Sequence, residues 1–156
     1  GIVQMKKKLS LLLALLMLTS IAALAACSKV EPITVKVVIN VAEEDDRGRR
    51  EVTETILETD FAYESSTPTL NDLLVKLRDA GKINLVTEAD GDNVIITGIN
   101  DLVPKTDETE TTMEDYDWYV YINDGDAEDN SLSSTKAIAA NDTVTITYMH
   151  YSIAKE

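Results

Sequence analysis

From position 33 apolar and polar residues alternate, with Ile33, Val35, Val37, Ile39 and Val41 interleaved by Thr34, Lys36, Val38 and Asn40. A period of two is that of a strand with one face against a core, so a first strand is predicted there. The charged run Glu43 to Arg50, with Gly48 inside it, reads as a turn. Val52 to Phe61 then reads as a second strand, rich in threonine at 53, 55 and 59, and the pair as a hairpin. Its apolar positions, Val52, Ile56, Leu57 and Phe61, do not keep one parity, so the pattern leaves its facing open.

At Thr69 the period changes. Leu70, Leu73, Leu74 and Leu77 fall at helical spacing behind a threonine N-cap, with Asp72 three residues on, and Gly81 follows as a C′ stop. Ile83 to Val86 and Val94 to Ile99 read as short strands around the turn Asp90-Gly91-Asp92, and Trp118 to Ile122 and Thr143 to Tyr151 as two more. The acidic, threonine-rich stretch from Thr106 to Asp117 reads as a solvated loop. A lone helix must bury its leucine stripe on something. The expectation is therefore an α+β domain with the helix packed across one face of a mixed sheet.

Ahead of that domain, Lys6, Lys7 and Lys8 lead into an apolar stretch from Leu9 to Leu24, the pattern of an export signal. It ends in Leu24-Ala25-Ala26-Cys27, which resembles the bacterial lipobox, so residues 1–26 are expected to be a signal peptide and Cys27 the lipid-attachment residue. Gly1 to Gln4 precede Met5 and are expected to be a start artefact. The competing reading is an uncleaved membrane anchor, for which the apolar length just suffices but which has no use for the cysteine. Residues 27–32 would then be the lipidated cysteine and a tether reaching no more than roughly 20 Å. The domain proper is placed at 33–151, close to the membrane and on its extracytoplasmic side. The single cysteine agrees, since it leaves no disulfide or thiol nucleophile.

Removing residues 1–26 takes away three of 14 Lys and Arg and none of 28 Asp and Glu, which leaves 11 positive against 28 negative side chains, a net charge of −17. Such a surface argues against nucleic acid and anionic headgroups as partners. The 130 residues from Cys27 onward suit one domain.

Six of the eight aromatic residues, Tyr116, Trp118, Tyr119, Tyr121, Tyr148 and Tyr151, lie in or beside the last two long strands. Alternation puts Trp118, Val120 and Ile122 on one face and Tyr119 and Tyr121 on the other. Trp118 is then the core residue, and Tyr119 and Tyr121, with Tyr116 and Asn123 nearby, are the candidate contacts for a ligand or partner. The alternative is ordinary cross-strand packing of tyrosines. The loop Asn123 to Asn130 is acidic, but Ca2+ is not expected there: counting from Asp124, the glycine of a calcium loop would be Asp129 and its closing glutamate Thr135. The only histidine, His150, has no evident nucleophile to activate, and no catalytic residue or metal ligand is assigned.

Taken together, Glu58-Thr59-Asp60-Phe61, Leu70-Asn71-Asp72-Leu73-Leu74, Ile96-Thr97-Gly98-Ile99-Asn100, Trp118-Tyr119-Val120-Tyr121-Ile122-Asn123 and Ala140-Asn141-Asp142-Thr143-Val144 resemble the domain of unknown function numbered 4430 (DUF4430), which is similar to the carboxy-terminal domain of transcobalamin and intrinsic factor. The likeness spans roughly residues 34 to 150, and its most specific piece is the W-x-x-Y-x-N strand. Two positions depart from the family: Asp124 intervenes before Gly125, and Asn141 stands where a glycine is common. The resemblance implies a β-grasp-like (ubiquitin-like) arrangement and, by analogy with the vertebrate carriers, capture of a corrinoid. In those carriers a helical barrel closes over the vitamin, and 130 residues cannot supply one. Two functions stay open at this point: a tethered lipoprotein that captures a small molecule, or a cell-surface protein-protein interaction module.

Overall fold

The structure is a computed structural model of the chain and describes residues 2–7, 29–125 and 131–156. It separates into two units, Gly1–Glu31 and Pro32–Glu156. In the first, residues 2–7 are helical. No described helix is long and apolar enough to cross a membrane. Residues 8–28, and with them the apolar leader and Cys27, lie outside the described residues.

The second unit is mainly β and α+β-like: a five-stranded mixed sheet, a two-stranded hairpin and a helix. The strands are β1 (Ile33–Glu44), β2 (Arg50–Tyr63), β3 (Leu85–Asp90), β4 (Asn93–Ile99), β5 (Lys105–Glu108), β6 (Thr112–Ile122) and β7 (Thr143–Ala154), with the helix at Leu70–Asp79. The large sheet runs β2-β1-β7-β6-β5, and β3 and β4 pair apart from it. Among the described strands only β1 and the central strand β7 run parallel. The first and last strands of the domain thus meet in the middle of the sheet.

Alternation on β1 places Val35, Val37 and Ile39 on the core side, fully buried with Val144, Ile146, Trp118 and Val120 of the neighbouring strands. The helix lays Leu70, Leu73, Leu74 and Leu77 on that face, each 1% exposed or less. Burying each such side chain contributes about 1.5–3 kcal/mol. Its ends follow from single residues. Thr69 Oγ1 accepts from Asp72 N at 3.2 Å, and Gly81, at φ +70°, lets Gly81 N and Lys82 N close back on Arg78 O and Leu77 O. Leu70 N and Asn71 N donate to Lys136 O and Ser134 O, so the segment before β7 holds the helix start.

Two expectations need correction. The stretch Thr106 to Asp117 is not a loop: it forms β5 and most of β6, joined by a turn in which Thr112 N donates to Thr109 Oγ1 at 2.9 Å. Its charges misled because β7 runs on to Ala154 and offers β6 a partner along its whole length, and because threonine suits a half-exposed strand. Ile83 precedes β3 rather than starting it, and is buried at 4% in the core. The uncertain facing of β2 has a physical cause in two register shifts against β1, at Ile39/Asn40 and Val41/Ala42, which change its phase along the strand.

Candidate functional site

The face of the sheet away from the helix carries the even positions of β1 and the odd positions of β6 and β7. Register sets Tyr119 opposite Thr147 and Tyr121 opposite Thr145 on β7, and Asn40 and Val38 of β1 beyond them. Tyr119 and Tyr121 are half-exposed, and Tyr119 meets Tyr151 edge-on at 5.9 Å. Burial, and then the neighbouring Tyr119 hydroxyl, push the Tyr151 phenol upward.

This face is curled. Arg50, at the start of the edge strand β2, places its guanidinium carbon 4.7 Å from the centre of the Tyr121 ring on β6, although β1 and β7 lie between those strands. Three strand spacings are about 14 Å, and register sets Arg50 level with Glu44 of β1 but Tyr121 level with Val38, so the two side chains meet diagonally over a strongly curled face. On the same face, Asn40 is 4% exposed, Thr147 and Ala42 are fully buried and Met149 is 3% exposed. Asn40 Oδ1 and Thr147 Oγ1, on register-paired residues, have no hydrogen-bond partner among the described residues, as is also true of Tyr63 Oη and Asp72 Oδ2 elsewhere in the domain. An unpaired buried polar atom costs about 1–3 kcal/mol, which packing alone gives no reason to retain.

A cavity of about 340 Å³ opens at one end of the trough, lined by Arg50, Tyr121, Asn123, Asp124, Gly125, Thr143 and Thr145. A second, of about 560 Å³, lies between the β1–β2 turn, with Glu44, Asp45 and Asp46, and the strand ends at Thr112 and Tyr151 to Ala154. Asp45 there is committed to its own turn, accepting from Arg47 N and Arg49 N, and these bonds hold its carboxyl below the ordinary range.

The four residues singled out by sequence do not form one site. Tyr119 and Tyr121 share the trough. Tyr116 lies on the opposite face, stacked on His150 at 4.4 Å and near Tyr148 at 5.9 Å, with the Lys105 ammonium 4.5 Å from its ring centre. Asn123 borders the cavity, but its amide is committed to a corner: at φ +58° it accepts from Thr143 N at 3.0 Å and donates to Asp142 Oδ1 at 3.1 Å. The W-x-x-Y-x-N strand therefore divides its work. Trp118 is core and donates from Nε1 to Leu102 O at 3.2 Å, Tyr121 faces the trough, and Asn123 turns the chain.

Sequence reasoning missed Arg50, Asn40, Thr147 and Tyr151. Arg50 sat inside a presumed turn, and the phase of Asn40 gave no hint of burial on the second face. The column Thr143, Thr145 and Thr147 was the available signal, since three hydroxyls in alternation mark one polar face of a strand.

On the helix-bearing face, His150 sits between two carboxylates, with Nε2 at 2.5 Å from Glu114 Oε2 and Nδ1 at 3.7 Å from Glu43 Oε1. The His150 contact, and then the Ser152 hydroxyl at 2.8 Å, hold the Glu114 carboxyl below its ordinary value. No group of described residues has the geometry to hold a metal ion. The acidic loop after Gly125 continues through residues 126–130, which lie outside the described residues, and the Ca2+ expectation falls there. Compared with known proteins, the chain matches no family model and no curated sequence.

Proposed function

We propose that this chain is a membrane-tethered, non-catalytic binding lipoprotein of the extracytoplasmic side, held through Cys27, whose β-grasp-like domain captures a small polar ligand in the curled tyrosine face. The observation that carries this reading is the pair of buried, unpartnered polar atoms, Asn40 Oδ1 and Thr147 Oγ1, in the same row of this face as Tyr119. Buried polar groups are nearly always partnered, so each one that the protein leaves unpaired calls for an explanation, and a bound ligand is one. The sheet order β2-β1-β7-β6-β5, with β1 and β7 parallel and a helix across one face, supports the β-grasp assignment and the resemblance to the DUF4430 and transcobalamin carboxy-terminal domains. The Lys6 to Lys8 and apolar leader pattern and the lipobox-like Leu24 to Cys27 support the placement.

A cavity of about 340 Å³ suits a ligand of one or two rings. A corrinoid would need a second protein body above the trough. The interaction-module reading has one observation of its own: β2 is a 14-residue edge strand that no described strand pairs on its outer side. Its two register shifts and its Glu51, Glu54, Glu58 and Asp60 are, however, the features by which edge strands resist added strands. A thermal-shift screen of the purified chain against saccharides, corrinoids and calcium tests the proposal, since a ligand at 100 times its Kd adds about 2.7 kcal/mol. A shift that disappears in Tyr119→Ser/Tyr121→Ser supports capture by this face. A shift that survives the double substitution, or none with any compound, counts against it.

A further inference from the structure

We propose that the Arg50 end of the trough takes an acidic saccharide, a pyranose ring bearing a carboxylate; this rests on the reading of the curled face as the binding surface. The first argument is charge. Arg50 is exposed and makes no ion pair among the described residues, in a chain with 28 Asp and Glu and with Glu44 as its register partner. It is held on the Tyr121 ring instead. A guanidinium stacked on an aromatic face keeps its in-plane fork of N–H donors available, and that fork matches the two oxygens of a carboxylate. Asp124 shares the cavity lining and Glu44 faces Arg50 in register, so Arg50 is the one cation of the lining and must outweigh a nearby carboxylate, while charges beyond about 8 Å are screened at physiological ionic strength.

The second argument is the row of hydroxyls. Thr143 and Thr145 follow one another on β7 at an interval of about 6.6 Å and both line the cavity, with Thr147 next on the same face and fully buried. Hydroxyls both donate and accept, which is what the alternating hydroxyls of a sugar ring require. The third is aromatic surface: half-exposed Tyr121 lines the cavity beside that row and, with Arg50 over its ring, adds apolar surface for one side of a sugar ring. The cavity volume of about 340 Å³ limits the occupant to one or two such rings. A neutral sugar would leave the guanidinium unused, and an aromatic acid would leave the threonines unused.

The test is an NMR titration of the isotopically labelled full chain with galacturonate, and with galactose and benzoate as separate arms. Galacturonate is expected to shift the amides of Tyr121, Thr143 and Thr145 saturably, with affinity at least tenfold above either comparison compound. Arg50→Gln should lower that affinity at least tenfold while keeping a folded spectrum. Equal binding of galactose overturns the role of the carboxylate, and equal binding of benzoate overturns that of the hydroxyl row; either result leaves the curled face standing as a binding surface. Shifts confined to other parts of the domain, or none, overturn the acidic-saccharide assignment, whereas the broader reading fails separately, on the thermal-shift screen.

Discussion

Gly98 is where a single methyl group should do most damage. A Cβ built there would lie 2.3 Å from Leu102 O and 2.7 Å from Val103 Cγ1, so the chain at 102–103 must move if alanine is introduced. That chain is not free to move. Leu102 O accepts from both Ile99 N and Trp118 Nε1 at 3.2 Å, and Val103 O accepts from Tyr148 Oη at 2.6 Å. Overpacking of this kind costs about 1–3 kcal/mol, and each hydrogen bond lost at Leu102 O adds about 1 kcal/mol. Gly98→Ala should therefore destabilise the domain by about 3 kcal/mol, a large share of the roughly 5–15 kcal/mol typical of a domain. Urea unfolding followed by the fluorescence of the single tryptophan reads this directly, since Trp118 is one of the groups displaced. With a slope near 2 kcal/mol per M, the midpoint should fall by about 1.5 M. A loss below 1 kcal/mol would refute the reasoning, because it would mean that the segment after β4 yields without disturbing Trp118.

Further outcomes follow from the same contacts. Asn123→Ala should cost about 1–3 kcal/mol in urea unfolding, since it removes two hydrogen bonds and places a less tolerant residue at φ +58°. The Glu114 carboxyl is held below its ordinary value of 4.5 in the folded state, so its contribution is complete above that pH and is lost as pH falls through the lowered pKa. Unfolding midpoints between pH 6 and pH 3 should accordingly fall less steeply in Glu114→Gln than in the unaltered chain. Burial pushes the Tyr63 phenol from 10 to about 12, and its hydroxyl has no partner. Its contribution is therefore full below pH 10 and declines as pH rises from 10 towards 12. Tyr63→Phe should abolish that alkaline loss without destabilising the domain at neutral pH, as read by pH-dependent unfolding.

The strands at Ile33, Val94 and Thr143, the helix from Leu70 and the inward face of Trp118 were legible because each is governed by local periodicity or capping. Strand pairing was less so. Nothing between Thr106 and Asp117 signals that β7 will extend to Ala154 and convert an acidic stretch into a paired strand. The site was legible only as far as Tyr119 and Tyr121, whose facing follows from Trp118. Tyr116 was drawn in by sequence proximity although its even position puts it with Trp118, against His150. Arg50 and Asn40 could not be found locally. Arg50 reaches the trough only because side chains from non-adjacent strands meet over the sheet, and nothing in the alternation of β1 marks Asn40, on its outer face, as buried.

The central claim is that polar atoms under the curled face are left unsatisfied by the protein itself. Thr147→Val tests it without any ligand, since valine matches the shape of threonine and removes only the hydroxyl. If Thr147 Oγ1 has no partner, as here, equilibrium unfolding should show the valine variant at least as stable as the parent, by up to about 1–2 kcal/mol. A loss of more than about 1 kcal/mol would mean that the fold already satisfies the hydroxyl, and the trough would then be ordinary sheet packing.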